Sequence, residues 1–175
     1  MDEEKIKQQV KGLLSNDFEI KEEITGNHLV EQDVVIIDFM IFPKPHLINQ
    51  GFEAFWVGIE CKYIKPNSEH ANKKLNKLIW QSISYAHSVF NIDKQLIRPR
   101  FVLIAFNREE INASDRTNIT WRTLINFAQY ANVGVLSTVS GGWGMSFGTG
   151  NHWYYRTNKG RGNHNVIRRQ VGNCA

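Results

Sequence analysis

The sequence predicts an α/β fold: a mixed central β-sheet flanked by helices, ending in a C-terminal hairpin and basic tail. Three observations predict it. Three strand-like runs follow one another (18–25, 34–42 and 52–64), which favours an antiparallel start. An amphipathic helix and a wholly apolar strand come next, and then the same alternation again, which favours parallel additions. Finally, 175 residues with 42% apolar and 22% charged side chains suit one soluble domain with a real core.

Each element has its own reason. In 3–14, Ile6, Val10, Leu13 and Leu14 recur at helical spacing, with acids in the first turn where the helix dipole favours them. Residues 18–25 alternate apolar and charged, and Gly26-Asn27 reads as a turn. Residues 34–42 (VVIIDFMIF) are β-branched and aromatic, and read as a strand buried on both faces apart from one Asp. KPHLINQG is a connection, and 52–64 is a further strand stopped by Pro66. Residues 70–90 predict a long helix with Leu75, Leu78, Ile79, Ser82, Ile83, Ala86 and Val89 on one stripe. Then come a strand at 101–106, a helix at 118–131 with Trp121, Leu124, Ile125 and Ala128 inward, and a strand at 133–139. Residues 1–140 form the expected core. From 141 the chain turns to glycines, aromatics and cations, an extension of the same domain or a tail.

Charge is lopsided. No Asp or Glu follows Asp115, whereas seven cations do, leaving the first 115 residues with 14 basic and 17 acidic groups, a net of −3. Such asymmetry suits a C-terminal third that meets a polyanion and an N-terminal part that holds carboxylates for another purpose. Lys74, Lys77, Arg156, Lys159, Arg161, Arg168 and Arg169 are the candidate nucleic-acid contacts. The aromatics Trp143, Phe147, Trp153, Tyr154 and Tyr155 read either as a stacking surface or as a hairpin buried over a sheet edge, with burial for about half of them. No run is long and apolar enough for a membrane span, and the charged N-terminus is no signal peptide. Cys61 and Cys174 are not expected to pair, which points to a reducing compartment, the cytoplasm of a bacterial or phage-infected cell. Six histidines lack zinc-ligand spacing. Neither a phosphate-cradling loop nor a nucleophile elbow is present.

The chemistry is carried by Asp38, Glu60 and Lys62. A lone carboxylate in a buried strand costs several kcal/mol or shifts its pKa until it is neutral. The next strand repeats the anomaly: alternation sets Glu60 and Lys62 on one face, with Ile59, Cys61 and Tyr63 on the other. Gly58, on the Glu60 face, leaves space beside the carboxylate. If the strands pair, Asp38 lies next to Glu60, and the commonest relief for two such carboxylates is a hard divalent cation. A cation there can orient and acidify a water, and Lys62 can help position that water. The alternative is a plain ion pair of Lys62 with either acid.

This arrangement resembles the PD-(D/E)xK nuclease superfamily, the restriction-endonuclease-like fold with its αβββαβ core. The likeness rests on Asp38, on Glu60-Cys61-Lys62, and on Gln81 and Tyr85, which look like the Q-x-x-x-Y motif of the RecB-like and lambda-exonuclease-like branch. Gln81 and Tyr85 stand one turn apart on a helix face shared with Lys74, Lys77 and Ser88. The resemblance implies Asp38, Glu60 and the Cys61 backbone carbonyl as ligands of Mg²⁺ or Mn²⁺, Lys62 handling the attacking water, and Gln81 and Tyr85 reaching toward the site or the DNA backbone. Two departures stand out. The Asp is not preceded by Pro, and the first-helix Glu of many relatives has no clear equivalent: Glu3 or Glu4 could serve, but both lie at the frayed start of their helix. The expected function is DNA endonuclease, with exonuclease, branched-DNA resolvase, RNase or a silent nucleic-acid-binding subunit as alternatives. A homodimer and a phage or mobile-element origin are compatible.

Overall fold

The computed structural model describes residues 2–112, 115–139, 142–147 and 151–156, with backbone alone at 112, 115–119, 139 and 151–156. The elements are α1 (Glu3–Leu14), β1 (Phe18–His28), β2 (Val34–Pro43), α2 (Pro45–Asn49), β3 (Val57–Lys62), α3 (Ala71–Ala86), β4 (Ser88–Ile92) and β5 (Gln95–Ile97). They continue with β6 (Phe101–Phe106), α4 (Arg108–Asn112), α5 (Asp115–Ala128), β7 (Val133–Val139), β8 (Gly142–Phe147) and β9 (Asn151–Arg156). A 3₁₀ turn at Gln129–Ala131 joins α5 to β7.

The nine strands among the described residues form one sheet in the order β5-β4-β1-β2-β3-β6-β7-β8-β9. β1, β2 and β3 pair antiparallel, β3, β6 and β7 pair parallel, and β8 and β9 return antiparallel. The sheet is therefore mixed, as the order of strands and helices predicts. Helix α1 covers one face, where Ile6, Val10 and Leu14 pack on Phe18, Phe39, Ile59, Cys61, Leu103 and Trp143. Helices α3 and α5 cover the other, with Leu75, Leu78 and Ile79 against Ile104, Trp121, Ile125 and Val135. Among the described residues no helix is long and apolar enough to cross a membrane.

Several expectations are corrected. Gly26-Asn27 is not a turn: β1 runs through it to His28, and Gly26 is there because β4 pairs alongside. A Cβ at Gly26 would stand 2.5 Å from the Val89 carbonyl oxygen and 2.6 Å from the Phe90 ring. The helix expected over 70–90 ends at Ala86, and 88–97 forms a hairpin whose first strand extends the sheet beyond β1. Ser88 consequently lies in β4 rather than on the helix, with its Oγ donating to the Ser84 carbonyl. The strand expected over 52–64 is ordered as a ladder only at Val57–Lys62. The connection after Pro43 contains α2, entered by Pro45 at its first turn. Short α4 also escaped the sequence reading. In β2, Val34 and Ile36 are exposed, so only its C-terminal half is buried on both faces.

Trp143 and Phe147 are fully buried against the α1 face, and the Trp143 indole Nε1 donates to Asp17 Oδ2 at 2.9 Å. Asp17 is itself buried and its other oxygen meets His46 Nε2 at 3.0 Å, which gives each oxygen of a core carboxylate a partner. The Trp153, Tyr154, Tyr155 and Arg156 side chains lie outside the described residues, as do Lys159, Arg161, Arg168, Arg169 and Cys174.

Candidate active site

The site forms where the sheet forks. β2 and β3 pair at Ile41↔Val57, Met40↔Gly58 and Phe39↔Ile59, and there the ladder stops. The next pair in register would be Asp38 opposite Glu60. Instead β3 continues beside β6 to Lys62, while β2 continues beside β1. At the fork the Asp38 side chain replaces a backbone acceptor: the Cys61 amide donates to its Oδ2 at 2.7 Å.

The same point reverses the faces of β1 and β2. Phe39 and Ile41 pack on the α1 face, whereas Val35 and Ile37 pack on the α3 face, so the odd positions change sides at Asp38. β1 does likewise between Ile20 and Ile24. The ladder skips the pair Glu23/Asp38, and Glu23 adopts φ +51° in mid-strand. Non-glycine residues rarely take that conformation, and it costs on the order of 1 kcal/mol or more unless its surroundings impose it. The distortion brings Asp38 to the α1 side, where Lys7 Nζ meets its Oδ1 at 2.7 Å and Glu23 at 3.8 Å.

Glu60 is 6% exposed. Burial, followed by the charge of Asp38, pushes its carboxyl up to about 8, against the pull of Lys62 and Lys7 and with a further push from Glu3. Lys62 Nζ lies 2.8 Å from Glu3 Oε2. Glu3 is therefore part of the cluster, correcting the expectation of a frayed helix start: Asp2 caps α1 by accepting from the Lys5 amide. Lys7 is raised above its ordinary pKa, because Asp38 and Glu23 outweigh the opposing effect of its burial. Four carboxylates (Asp38, Glu60, Glu3 and Glu23) and two ammoniums thus share the fork.

Tyr85 is buried, and its hydroxyl is held well above its usual range by burial, then by the charges of Glu60 and Asp38, with the Gln81 hydrogen bond working the other way. It is a neutral donor at physiological pH. The Gln81 amide oxygen is buried and has no hydrogen-bond partner among the described residues. Lys74 and Lys77 are exposed on α3. The Cys61 thiol is buried, raised in pKa mainly by that burial, and faces the apolar α1 layer, so it is no nucleophile. Gly58 leaves no room beside Glu60: a Cβ there would stand 2.6 Å from Ile37 Cδ1 and 3.1 Å from Val102 Cγ2.

Sequence reasoning missed Lys7, Glu23 and Asn107. Buried Asn107 continues the β3–β6 ladder with its side chain, accepting from the Ile64 amide at 3.0 Å and donating to the Ile64 carbonyl at 2.8 Å, and so pins the chain just after Lys62. The only hint of it was a polar residue closing the run FVLIAFN. A cavity of about 690 Å³ lies beside α1, lined by Ile6, Gln9, Val10, Leu13, Phe106 and Thr138 among others, and none of the cluster's charged residues lines it.

A hydrated Mg²⁺ or Mn²⁺ fits this donor set. Such ions need one or two carboxylates and keep several waters. Asp38 and Glu60 supply those, and burial of two carboxylates side by side is relieved by a cation. Among the described residues no three His, Cys, Asp or Glu come together as a group that could hold a metal ion, so any cation here would rest on two carboxylates and water. No family model, curated protein or solved structure matches the chain.

Proposed function

We propose that this chain is a metal-dependent DNA endonuclease with a restriction-endonuclease-like core. The observation that carries the reading is the fork. Two strands part at the one register where each presents a carboxylate, and a lysine follows two residues after the second. The order α1, β1, β2, β3, α3, β6 agrees with the αβββαβ core, with the β4–β5 hairpin as an insertion. Glu3, paired with Lys62, supports it too: it would take the part of the first-helix Glu of many such nucleases.

Asp38, Glu60 and the Cys61 carbonyl would hold Mg²⁺ or Mn²⁺, which when bound acidifies water and neutralises charge on a phosphate oxygen. The chain's own groups do the rest. Lys7 and the Cys61 amide fix the Asp38 carboxylate in one orientation. Lys62, steered by Glu3, stands beside the carboxylates as a donor for an attacking water or for a phosphate oxygen gaining charge. Tyr85 and Gln81 line the α3 side of Glu60 with neutral hydrogen-bonding groups. The partner is DNA.

Supercoiled plasmid incubated with Mg²⁺, Mn²⁺ or EDTA tests the reading. Metal-dependent nicking or linearisation is expected, falling by about 100-fold or more in Asp38→Ala, Glu60→Ala and Lys62→Ala while DNA binding persists. Folded variants that still cut would refute the assignment. Intact circles beside degraded linear DNA would make the protein an exonuclease. Binding without turnover on any substrate would leave a silent binding subunit.

A further inference from the structure

We propose that the outward face of α3 is a platform for an unpaired DNA strand, with Trp80 stacking on a base and Lys73, Lys77 and Arg98 contacting phosphates. The identity of the partner rests on the nuclease reading; the platform itself rests on four observations.

The first is Trp80. Helix α3 buries Ala71, Leu75, Leu78, Ile79, Ser82, Tyr85 and Ala86, and leaves Trp80 69% exposed in the middle of its other side. A single exposed apolar residue is ordinary. This one has company. At 3.6 residues per turn, Lys73 and Lys77 lie within about 60° of Trp80 around the helix, and both are exposed.

The second is the C-terminal end. Arg98 folds back on α3, its Nε donating to the Ala86 carbonyl at 2.9 Å and its Nη2 3.3 Å from exposed His87 Nδ1. His87 falls on the Trp80 side of the helix, about 20° away. The face therefore carries cations at both ends of a track about 21 Å long, at 1.5 Å per residue from Lys73 to His87.

The third is the missing counter-charge. Helix α3 has no Asp or Glu. None of Lys73, Lys77 or Arg98 has a carboxylate partner among the described residues, and Trp80 has no ring partner there. An aromatic face flanked by unpaired cations is complementary to a strand that offers both phosphates and open base planes. A duplex hides its base planes in its own stack, so Trp80 favours unpaired nucleotides. A second copy of the chain fits poorly, because laying like on like would bring the same cations together.

The fourth is position. Gln81 follows Trp80, and Tyr85, one turn on, feels the charge of Glu60. A strand tracked along Lys73, Lys77 and Trp80 is held on the helix that borders the carboxylate cluster. Trp80 faces about 140° around the helix from Tyr85, so the inferred substrate is DNA with an unpaired segment that passes over the outer side of α3, such as a flap, a frayed end or a branch.

Anisotropy titration of labelled oligo-dT of about 20 nucleotides, longer than an ordinary single-strand site, tests this in EDTA against a duplex of equal length. Trp80→Ala is expected to weaken oligo-dT binding on the order of tenfold and to leave duplex binding nearly unchanged, with Trp80→Phe restoring most of the loss. Lys73→Gln with Lys77→Gln should reduce the salt slope by about 1.4. Equal losses on both DNAs, or none, would overturn the platform. So would a dimer that Trp80→Ala converts to monomer in sedimentation without changing oligo-dT affinity, which would give the face to a second copy. If no DNA is ever cut but the Trp80-dependent preference persists, the nuclease reading fails and the platform stands.

Discussion

At the scale of single residues, Glu60 sets the pH behaviour of the metal-free protein. Its carboxyl holds a proton up to about pH 8 in the fold, against an ordinary value of 4.5. Between those values the native state binds more protons than the unfolded state, so stability falls as pH rises through that window and levels off above it. Below 4.5 both states are protonated, the slope vanishes and the stability the group contributes is fully present. In EDTA, urea midpoints should therefore drop from pH 5 to pH 9, with a slope inside the window of at most about 1.4 kcal/mol for each pH unit. Glu60→Gln should remove most of that drop; an unchanged slope would place the cause elsewhere. Adding Mg²⁺ at pH 8 should restore stability, raising Tm by roughly 2–4 °C for each 1 kcal/mol of binding, and Asp38→Asn should abolish the rise. These residues were legible because a carboxylate inside an apolar strand is an anomaly in sequence. Glu3 was only one of two candidates and Lys7 was not legible at all, because charges on the outer side of an amphipathic helix are the rule. Only the crossing of α1 over the fork makes them part of the site.

At the scale of elements, the long periodic segments announced themselves, and the boundaries that failed were those decided by neighbours. Gly26-Asn27 has turn chemistry, yet the residue is glycine because the β4 backbone crowds it. The β4–β5 hairpin hid behind Val89 and Phe90, whose apolar spacing continues the α3 stripe by coincidence. Asp93 and Lys94, both at positive φ, make its turn without the glycine that would have marked it. Two glycines then separate by what opposes a methyl group. At Gly58 the obstacle is the end of the Ile37 side chain, which can rotate, whereas at Gly26 it is the Val89 carbonyl, which cannot. Gly58→Ala should cost about 1–2 kcal/mol and Gly26→Ala about 3 kcal/mol or more in chemical denaturation. Amide exchange should show β4 and β5 loosened only in the Gly26 variant. Equal costs would mean that β4 yields as readily as a side chain, and that its pairing with β1 is weak.

At the scale of the whole molecule, the charge asymmetry has two tasks under the proposed nuclease reading, holding a cation and holding a polyanion. The acids end at Asp115, and four of them meet at the fork with Lys7 and Lys62, while Lys159, Arg161, Arg168 and Arg169 follow the last described strand. Such a distribution separates two quantities that a single binding constant would merge. Counterion release makes log K for duplex DNA fall with log salt at about 0.9 per phosphate neutralised. Replacing those four C-terminal cations by Gln should therefore flatten the slope by about 2–4 and weaken binding at low salt, without altering the Mg²⁺-dependent Tm. Asp38→Asn should do the reverse, losing the Tm response and keeping the salt slope. The two variants thus report on independent ends of the chain. A quadruple variant with an unchanged slope would reduce the basic end to a solubilising role and leave α3 to carry the electrostatic contact with the substrate.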